Sequence, residues 1–157
     1  MNAAITDAAL ALARKVGETM FAVDNASKDF MQMELLTCEP GRAVMRMVVR
    51  EPMLNGHKIC HGGLIFTLAD TAFAYACNSY NKNTVASACH IDFLAPAKEG
   101  ETLEAEAVER SASGRTGVYD ITVRTTGGKS SGKTVALFRG KSYRINGEVI
   151  AGLQQAD

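Results

Sequence analysis

Apolar and polar residues alternate with two different periods along the chain, and the change of period separates helices from strands. Residues 5–20 combine a helical spacing of apolar side chains with the N-cap candidates Thr6 and Asp7, which predicts an amphipathic helix. Residues 62–78 are apolar on nearly all sides, a composition that predicts a helix buried on every face. The sequence therefore predicts one surface helix near the N-terminus and one central helix.

Strands are predicted where the period falls to two and β-branched residues accumulate. In one such stretch Leu103 and Ala105 alternate with Glu104 and Glu106, which indicates one buried face and one solvent face. The order α-β-β-α-β-β-β-β predicts a single α+β domain over residues 1–157, with an antiparallel sheet wrapped around the central buried helix. The predicted strands cover residues 31–38, 42–50, 84–94, 101–111, 118–126 and 134–145.

The composition narrows the expected partners. The chain has 17 basic and 17 acidic residues, so no net field favours nucleic acid or an anionic membrane. No stretch reaches the roughly 18 apolar residues of a membrane span, and no basic leader of a signal peptide precedes the first helix. The scattered cysteines form no CxxC pair, which predicts reduced thiols and a cytoplasmic location. A small-molecule ligand is the expected partner.

One segment matches a nucleotide-binding motif letter for letter. Residues 127–134, GGKSSGKT, fit the GxxxxGK[ST] pattern that holds nucleotide phosphates. That chemistry requires a helix to begin at the lysine, because the amides of a helix N-terminus hold the anion. The continuation 135–140, VALFRG, favours a strand instead. We therefore interpret the segment as a hairpin loop between two strands.

Histidine and cysteine side chains offer a second binding candidate. His57, Cys60 and His61 lie close together and could suggest zinc, but no second pair of ligands follows at a regular spacing. We interpret these three residues as loop residues at the rim of an active site. Cys89 lies in an apolar context and is predicted to be a small core residue. His90, within a predicted strand, is interpreted as structural.

A single carboxylate, that of Asp70, interrupts the central helix. With 3.6 residues per turn, Gly63, Thr67, Thr71 and Asn78 fall with it along one narrow polar stripe. A buried carboxylate without partners is energetically costly, so something must compensate for its charge. Local physics leaves two interpretations open: a carboxylate satisfied by neighbouring donors or water, or a functional group.

The start of the same helix adds a second functional candidate. Gly62 and Gly63 leave the first amides uncovered by side chains, and such amides suit a carbonyl oxygen that develops negative charge. A polarised carbonyl and a carboxylate together indicate acyl transfer. Gly62 and Asp70 are eight residues apart, about 12 Å along a helix, which is too far for both to touch one carbon. Both can act on one carbonyl only if Asp70 comes from a second subunit.

At these residues the chain resembles the hotdog-fold acyl-CoA thioesterases, and among them the PaaI-type branch of phenylacetate catabolism. Asn55, the run His61, Gly62 and Gly63, and Asp70 carry the resemblance by their spacing. It extends over nearly the whole chain from about residue 21 and is densest in residues 53–79, 86–97, 114–121 and 133–145.

The resemblance implies a fold, an activity and an assembly. The fold is the hotdog, an antiparallel sheet wrapped around a central helix. The implied activity is hydrolysis of aryl acyl-CoA thioesters, notably ring-hydroxylated phenylacetyl-CoA, with no cofactor because coenzyme A is part of the substrate. The implied assembly is a homodimer with a site at the subunit interface, within a homotetramer that is a dimer of dimers.

The resemblance also implies roles for individual residues. The Gly62 amide would polarise the thioester carbonyl, and Asp70 of the facing subunit would act as nucleophile or as general base for water. Asn55 would help to orient the water or the carbonyl. His61 lies beside the amide donor and would shape the loop.

Substrate contacts are expected around these groups. Gly63 and Thr71 adjoin them in sequence and are candidates for substrate binding. Arg115 and Thr116, in a predicted turn, are candidates for the basic rim that the phosphates of coenzyme A require. An aromatic acyl group needs an apolar pocket, and the candidate lining residues, with ordinary core packing as the alternative, are Phe66, Phe73 and Tyr75.

Two other functions stay open at this stage. A non-catalytic acyl-CoA-binding hotdog domain would keep the fold but would not need Asp70. A hotdog dehydratase acting on hydroxyacyl chains would need a histidine paired with a carboxylate, for which His61 and Asp70 are the available pair. An Asp70→Asn variant tests the first alternative, and an assay for hydration of an enoyl thioester tests the second.

Overall fold

The computed structural model describes residues 5–127 and 129–153 of the chain. Helix α1 spans Asp7–Val23 and begins as predicted at Thr6, whose hydroxyl accepts a hydrogen bond from the Ala9 amide at 3.2 Å. Helix α2 spans Gly62–Asn78, which confirms the predicted central helix. Neither helix, nor any other in the described part of the chain, is long and apolar enough to cross a membrane.

Six strands form one antiparallel sheet, and the predicted order of elements is confirmed. The strands are β1 (Glu34–Glu39), β2 (Arg42–Val48), β3 (Thr84–Phe93), β4 (Thr102–Ser113), β5 (Thr116–Thr126) and β6 (Thr134–Arg144). Their order across the sheet is β1-β2-β4-β5-β6-β3. The α+β architecture therefore matches the expectation, with α2 packed on one face of the sheet.

The first strand begins later than predicted. The expected strand over residues 31–38 is wrong at its start, because a single π-helical turn, Ala26–Phe30, precedes β1. The Met33 amide bonds to the Ser27 carbonyl at 2.8 Å and closes this turn. Gln32 takes a positive φ of 54°, which delays the extended conformation. No apolar period signals a turn of this kind.

The core lies between α2 and one face of the sheet. Leu68 and Phe73 of α2 are fully buried, as are Leu103 and Ala105 on the facing strand β4. Their polar neighbours point to the other face, where Glu104 forms an ion pair with an arginine of β2 at 2.7 Å. The predicted alternation of a buried and a solvent face in this strand is confirmed.

Strand β3 is the exception to this alternation, because it lies at the edge of the sheet and pairs only with β6. Nearly every residue of β3 is exposed, including the apolar Val85 at 46% and Phe93 at 53%. Cys89 is exposed as well, so its prediction as a core residue is wrong. His90 is also exposed and pairs with Asp92 of the same strand at 3.1 Å, outside the packed core.

The segment that resembles a phosphate-binding loop connects β5 to β6, and strand β6 begins directly after its lysine. Lys133 is held by the Pro96 carbonyl at 2.9 Å and by an ion pair with Glu101 at 3.5 Å. A strand rather than a helix follows Lys133, so no helix N-terminus is available at this lysine to hold a phosphate. The predicted hairpin loop is confirmed.

Candidate active site

The first turn of α2 presents one free backbone donor. His61 is the N-cap residue, and its Nδ1 accepts a hydrogen bond from the Gly63 amide at 3.0 Å. The Leu64 amide bonds to the His61 carbonyl at 2.9 Å. Within the described residues, the Gly62 amide has no intramolecular acceptor. The sequence predicted that the amides of both Gly62 and Gly63 are free. Only the Gly62 amide is free among the described residues, because the Gly63 amide donates to the His61 ring.

The loop before α2 fixes the direction of this donor. The His61 amide bonds to the Met53 carbonyl at 2.8 Å, and the Cys60 amide bonds to the Ala97 carbonyl at 2.8 Å. Asn55 closes the loop, since its Oδ1 accepts from the His57 amide at 2.9 Å. The carboxamide oxygen of Asn55 is therefore structural, and its Nδ2 is the group left to donate to a ligand.

The polar stripe of α2 is satisfied by the helix itself, except at Asp70. The Thr67 hydroxyl donates to the Gly63 carbonyl at 2.9 Å, and the Thr71 hydroxyl donates to the Thr67 carbonyl at 2.7 Å. Asn78 likewise donates to the carbonyl four residues before it, at 2.9 Å. An ionised carboxylate has no hydrogen to donate in this way. Asp70 is thus the one polar side chain of the stripe without a partner in its own helix.

Cys89 is the nearest polar side chain to the carboxylate. Its Sγ lies 4.0 Å from Asp70 Oδ1, a long contact to a weak donor. Among residues 5–127 and 129–153 no lysine, arginine or histidine forms an ion pair with Asp70. The contact between Cys89 and Asp70 could not be predicted from the sequence. Cys89 belongs to the edge strand, and its apolar flanks do not distinguish it from a core position.

The environment of Asp70 favours its neutral form. The carboxylate is half-buried, and desolvation raises its pKa above the ordinary value of 3.8. A group whose pKa is raised on folding stabilises the folded state below its unfolded pKa, and this contribution is lost as the pH rises through the folded pKa. At neutral pH the ionised Asp70 therefore destabilises the fold of the subunit.

We expect an Asp70→Asn variant to have a larger free energy of unfolding than the wild type at pH 7. Asparagine has nearly the same shape but no charge to desolvate. The difference should shrink as the pH falls through the raised pKa of Asp70 towards the ordinary aspartate value of 3.8, and it should be absent below that value, where the side chain is neutral in both states. Urea unfolding at several pH values between about 3 and 8 measures this difference. Asp92→Asn, an exposed aspartate, is the control; an equal effect in both variants would contradict the prediction.

One aromatic residue of this site was not identified from the sequence. The Phe93 ring covers Gly62, so that a Cβ added at Gly62 would lie 3.1 Å from Phe93 Cζ. Phe93 is the last residue of β3, and its ring stays half-exposed beside the free amide. Side chains alternate between the two faces of a strand, so Cys89 and Phe93 lie on one face of β3. This alternation could have identified Phe93 from the sequence. Glycine at position 62 is therefore explained by close approach of the ring.

The structure separates Thr71 from the other candidates. Thr71 is buried, and its hydroxyl lies 3.4 Å from the Ser27 hydroxyl in the π-helical turn. It therefore packs inside the subunit, and its contact with substrate stays a prediction. Among the aromatic candidates, Tyr75 is buried with its hydroxyl donating to Asp24 at 3.0 Å, and Phe66 packs against Phe138.

Arg115 and Thr116 lie far from Gly62 within one subunit. The Arg144 amide bonds to the Arg115 carbonyl at 2.7 Å, and Arg144 pairs with Thr84 at the first residue of β3. Gly62 contacts the opposite end of β3, nine residues and roughly 30 Å away. Arg115 is exposed and donates to the Arg144 carbonyl and the Asn146 side chain, both at 3.2 Å. One subunit thus does not bring these candidates together.

The zinc interpretation finds no support in the arrangement of its ligands. Cys60 is buried, and burial raises the pKa of its thiol to about 11. His57 and His61 are exposed on the loop and the helix start. No three His, Cys, Asp or Glu side chains of the described residues are placed to hold a metal ion together.

Comparison with known proteins places this arrangement in a family. The profile of the Thioesterase superfamily matches residues 57–131, which contain the helix start and Asp70. The chain is 50% identical over 126 residues to the Acyl-coenzyme A thioesterase PaaI of Escherichia coli, covering 80% of this chain and 87% of that protein.

Solved structures agree with the sequence comparison. The E. coli PaaI protein from the phenylacetic acid degradation operon superposes with a TM-score of 0.83 at 47% identity, covering 88% of this chain and 97% of that one. A variant of the phenylacetic acid degradation protein PaaI from Thermus thermophilus gives a TM-score of 0.70 at 37% identity, covering 75% and 97%. The hotdog fold expected from the sequence is confirmed.

Proposed function

The chain belongs to the thioesterase superfamily, and on that premise we propose that it hydrolyses aryl acyl-CoA thioesters, with ring-hydroxylated phenylacetyl-CoA as the preferred substrate. The products are the free acid and coenzyme A. The observation that carries the proposal is the pair formed by one free amide at the start of α2 and one unpaired carboxylate farther along the same helix.

The Gly62 amide acts on the carbonyl oxygen of the thioester. Its N–H has no acceptor in the described chain, and it lies at the positive end of a 17-residue helix. A hydrogen bond from this amide strengthens as the carbonyl oxygen gains negative charge in the transition state. His61 keeps the first turn in place by accepting from Gly63. Since Asn55 Oδ1 is engaged by the His57 amide, the proposed role of Asn55 in orienting water or the carbonyl falls to its Nδ2.

Asp70 completes the reaction in one of two ways. As a general base it takes a proton from water while the water oxygen bonds to the carbonyl carbon. As a nucleophile it bonds to the carbonyl carbon itself, and water then cleaves the anhydride. In both cases the C–S bond breaks and coenzyme A leaves as a thiolate that is later protonated. The thiolate needs no strong acid to leave, because a free thiol of this kind has a pKa of about 8.5.

We place the site between two subunits. Gly62 and Asp70 are eight residues apart on α2, about 12 Å, so one subunit cannot bring both to one carbonyl. The free edge of β3 offers the surface for a second copy, since exposed strand edges readily pair. Antiparallel pairing of two β3 edges would bring the Phe93 end of one subunit, where Gly62 lies, towards the partner's half of the site.

The same pairing gives Arg115 and Thr116 a role. They lie at the Thr84 end of β3, which an antiparallel partner strand would bring near the partner's Gly62. The Arg115 guanidinium then offers charge for a phosphate of coenzyme A. We further propose that the protein is a cytoplasmic homotetramer built as a dimer of dimers. The reaction uses only water and protein groups and needs no cofactor.

The dehydratase alternative is disfavoured by His61. A dehydratase needs a histidine beside a carboxylate, but the His61 Nδ1 is engaged by the Gly63 amide at 3.0 Å. The remaining described histidines, His57 and His90, form no contact with Asp70.

A panel of thioesters tests the proposed function by release of free thiol. We expect kcat/KM for phenylacetyl-CoA and 4-hydroxyphenylacetyl-CoA to exceed that for acetyl-CoA by at least about tenfold, because an apolar contact with the ring adds binding energy. Crotonyl-CoA, assayed for hydration, is the control for dehydratase chemistry. Absence of thiol release from every thioester, or a preference for straight-chain acyl groups, would overturn the proposal.

A further inference from the structure

The single turn of π-helix, Ala26–Phe30, packs against α2 beside the position of Asp70. The Met31 amide bonds to the Ala26 carbonyl at 2.9 Å, which is the five-residue spacing of a π-helix. Turns of this kind are rare and are often found at functional sites. This turn has no part in the proposed contacts with substrate, yet it is bonded to the helix that carries Asp70.

Asp24 joins the turn to α2 through both oxygens of its carboxylate. Its Oδ1 accepts from the Ser27 amide at 3.0 Å, and its Oδ2 accepts from the Tyr75 hydroxyl at 3.0 Å. Hydrogen bonds to an ionised carboxylate are stronger than those between neutral groups. Tyr75 is buried and lies five residues after Asp70 on α2. The Asp24 carboxylate therefore holds the turn and the helix together.

The residue that follows Asp70 makes the second contact of the turn with α2. The Thr71 hydroxyl lies 3.4 Å from the Ser27 hydroxyl, and both residues are buried. Thr71 has one hydroxyl hydrogen, which it donates to the Thr67 carbonyl at 2.7 Å. The Ser27 hydroxyl is therefore the donor across this contact, which is long for two hydroxyls. Asp24 supplies the strength of the link, and Ser27 places it next to the proposed catalytic carboxylate.

The end of α1 is held by the same link and forms a wall beside Asp70. Met20 and Asp70 line one open pocket of about 420 Å³. The Phe21 ring meets the Tyr75 ring edge to face, with 6.4 Å between the centroids. An apolar side chain such as Met20 excludes water from one side of the carboxylate, and burial is the cause of the raised pKa of Asp70. The position of α1 on α2 therefore helps to keep that pKa raised.

The other titratable groups around Asp70 do not supply a compensating charge. The thiols of Cys89 on β3 and Cys77 on α2 face it, and burial raises the pKa of both, to about 12 for Cys77, with a further contribution from the Asp70 charge. Both thiols are thus neutral at pH 7. The charged groups on the neighbouring elements are engaged elsewhere: Asp24 with Tyr75, Lys28 with Asp29, and His90 with Asp92.

We propose that Asp24, Tyr75 and Ser27 are positioning residues, which fix α1 and the π-helical turn on α2 so that Asp70 keeps the place and the desolvation that its reaction requires. The inference rests on the proposed function and adds the residues that hold its carboxylate. The three residues act through α2 and the end of α1, and they form no hydrogen bond to Asp70 themselves. A displacement of about 1 Å can reduce the rate of a reaction about 10²-fold.

Tyr75→Phe tests this role, because it removes the hydroxyl bound to Asp24 and keeps the ring. We expect kcat for phenylacetyl-CoA to fall by about tenfold, since Asp70 is no longer fixed. The acid limb of kcat/KM should move to lower pH, since water then reaches the carboxylate and lowers its pKa towards the ordinary value. The dissociation constant of a non-cleavable thioether analogue should change by less than about twofold, since ground-state binding is not involved.

Two substitutions of Asp24 separate its geometry from its charge. Asp24→Asn should retain near wild-type activity and pH profile, because its Oδ1 accepts from the Ser27 amide and its Nδ2 donates to the Tyr75 oxygen. Asp24→Leu makes neither bond and should behave as Tyr75→Phe does. Ser27→Ala should shift both readouts in the same direction by a smaller amount, because its contact with Thr71 is long.

Exposed residues of the same types are the matched controls. Ser131→Ala in the hairpin loop and Asp29→Asn in the π-helical turn should leave kcat and the acid limb unchanged. Near-ultraviolet circular dichroism confirms that each variant is folded, and the contrast between Asp24→Leu and Asp24→Asn decides the test if Tyr75→Phe does not fold.

The outcomes distinguish this role from the proposed function itself. Wild-type protein that releases no thiol from any thioester would overturn the proposed function. With active wild type, unchanged kcat in Tyr75→Phe and Asp24→Leu would overturn the positioning role alone. A lower kcat with an unmoved acid limb would overturn it as well, because a loss of folded enzyme lowers the rate equally at every pH.

Discussion

Asp70→Asn is expected to reduce thioester hydrolysis by roughly a thousandfold, the loss associated with removal of a catalytic base or nucleophile. The amide has nearly the same size, so the shape of the pocket is retained. It cannot take a proton from water at neutral pH, and it is a poor nucleophile. The dissociation constant of a non-cleavable phenylacetyl-CoA analogue should change little, because the proposed contacts of the ring and the phosphates lie elsewhere.

Release of free thiol and binding of the analogue are the two measurements. Asp29→Asn, which changes an exposed aspartate of the π-helical turn outside β3, is the matched control and should keep full activity. Wild-type rates in Asp70→Asn would remove Asp70 from catalysis and favour a domain that binds acyl-CoA without cleaving it. Loss of analogue binding together with activity would show that Asp70 serves binding instead of chemistry.

The pH dependence of the same reaction gives an independent check on Asp70. Both proposed roles need the ionised carboxylate, so kcat/KM should fall as the pH drops through the pKa of Asp70. Burial raises that pKa above 3.8, and the acid limb should therefore lie above the ordinary aspartate range. In single-turnover hydrolysis in ¹⁸O-labelled water, label in the Asp70 carboxylate would show the nucleophilic role, since the water oxygen reaches that carboxylate only by attack on the aspartyl carbon of an anhydride.

The sequence predicted the parts of this site that one helix contains. An apolar run with one carboxylate defined α2, and its bounds agree with the structure. Gly62 and Asp70 stood out because they break the apolar pattern of a buried helix. Such a pattern can be recognised within a short stretch of sequence. The rise of about 1.5 Å per residue along a helix also gave their separation, and with it the need for a second subunit.

Contacts between distant elements could not be predicted in this way. Phe93 covers Gly62, and Cys89 lies 4.0 Å from Asp70 Oδ1, because β3 crosses the length of α2. This crossing depends on the order of strands in the sheet, in which β3 pairs with β6 and not with its neighbour in sequence. Cys89 was predicted to be buried because apolar flanks do not reveal an edge strand.

Exchange of active-site halves between subunits is the prediction that tests the assembly most directly. Gly62→Pro removes the proposed donor with little change to the helix, because proline is favoured at the first position of a helix. His61, with φ −60° and ψ 130°, already has the extended conformation required before proline. Gly62→Pro should lower kcat by about 10²–10³-fold, the loss found for one oxyanion donor. Gly62→Ala is the control that adds a Cβ 3.1 Å from Phe93 Cζ but keeps the N–H.

A heterodimer of one Gly62→Pro subunit and one Asp70→Asn subunit should then recover activity. If each site joins Gly62 of one subunit to Asp70 of the other, one of the two sites contains both native groups. Each site-forming dimer that pairs the two variants should have about half of the wild-type activity, also when two such dimers associate in the proposed tetramer, since a two-fold dimer has two equivalent sites. Co-expression with two different affinity tags, followed by tandem purification, provides the heterodimer for the thiol-release assay.

A second, reciprocal heterodimer should be inactive if the sites are shared between subunits and active if each site lies inside one subunit. One subunit carries both Gly62→Pro and Asp70→Asn, and the other subunit is wild type. With sites shared between subunits, each site then lacks one group, and the heterodimer should be inactive. With sites inside single subunits, the wild-type subunit would retain its site and about half of the activity, as expected for independent sites. Activity in this heterodimer and none in the first would show that Asp70 acts within its own subunit, where about 12 Å of α2 separates it from Gly62.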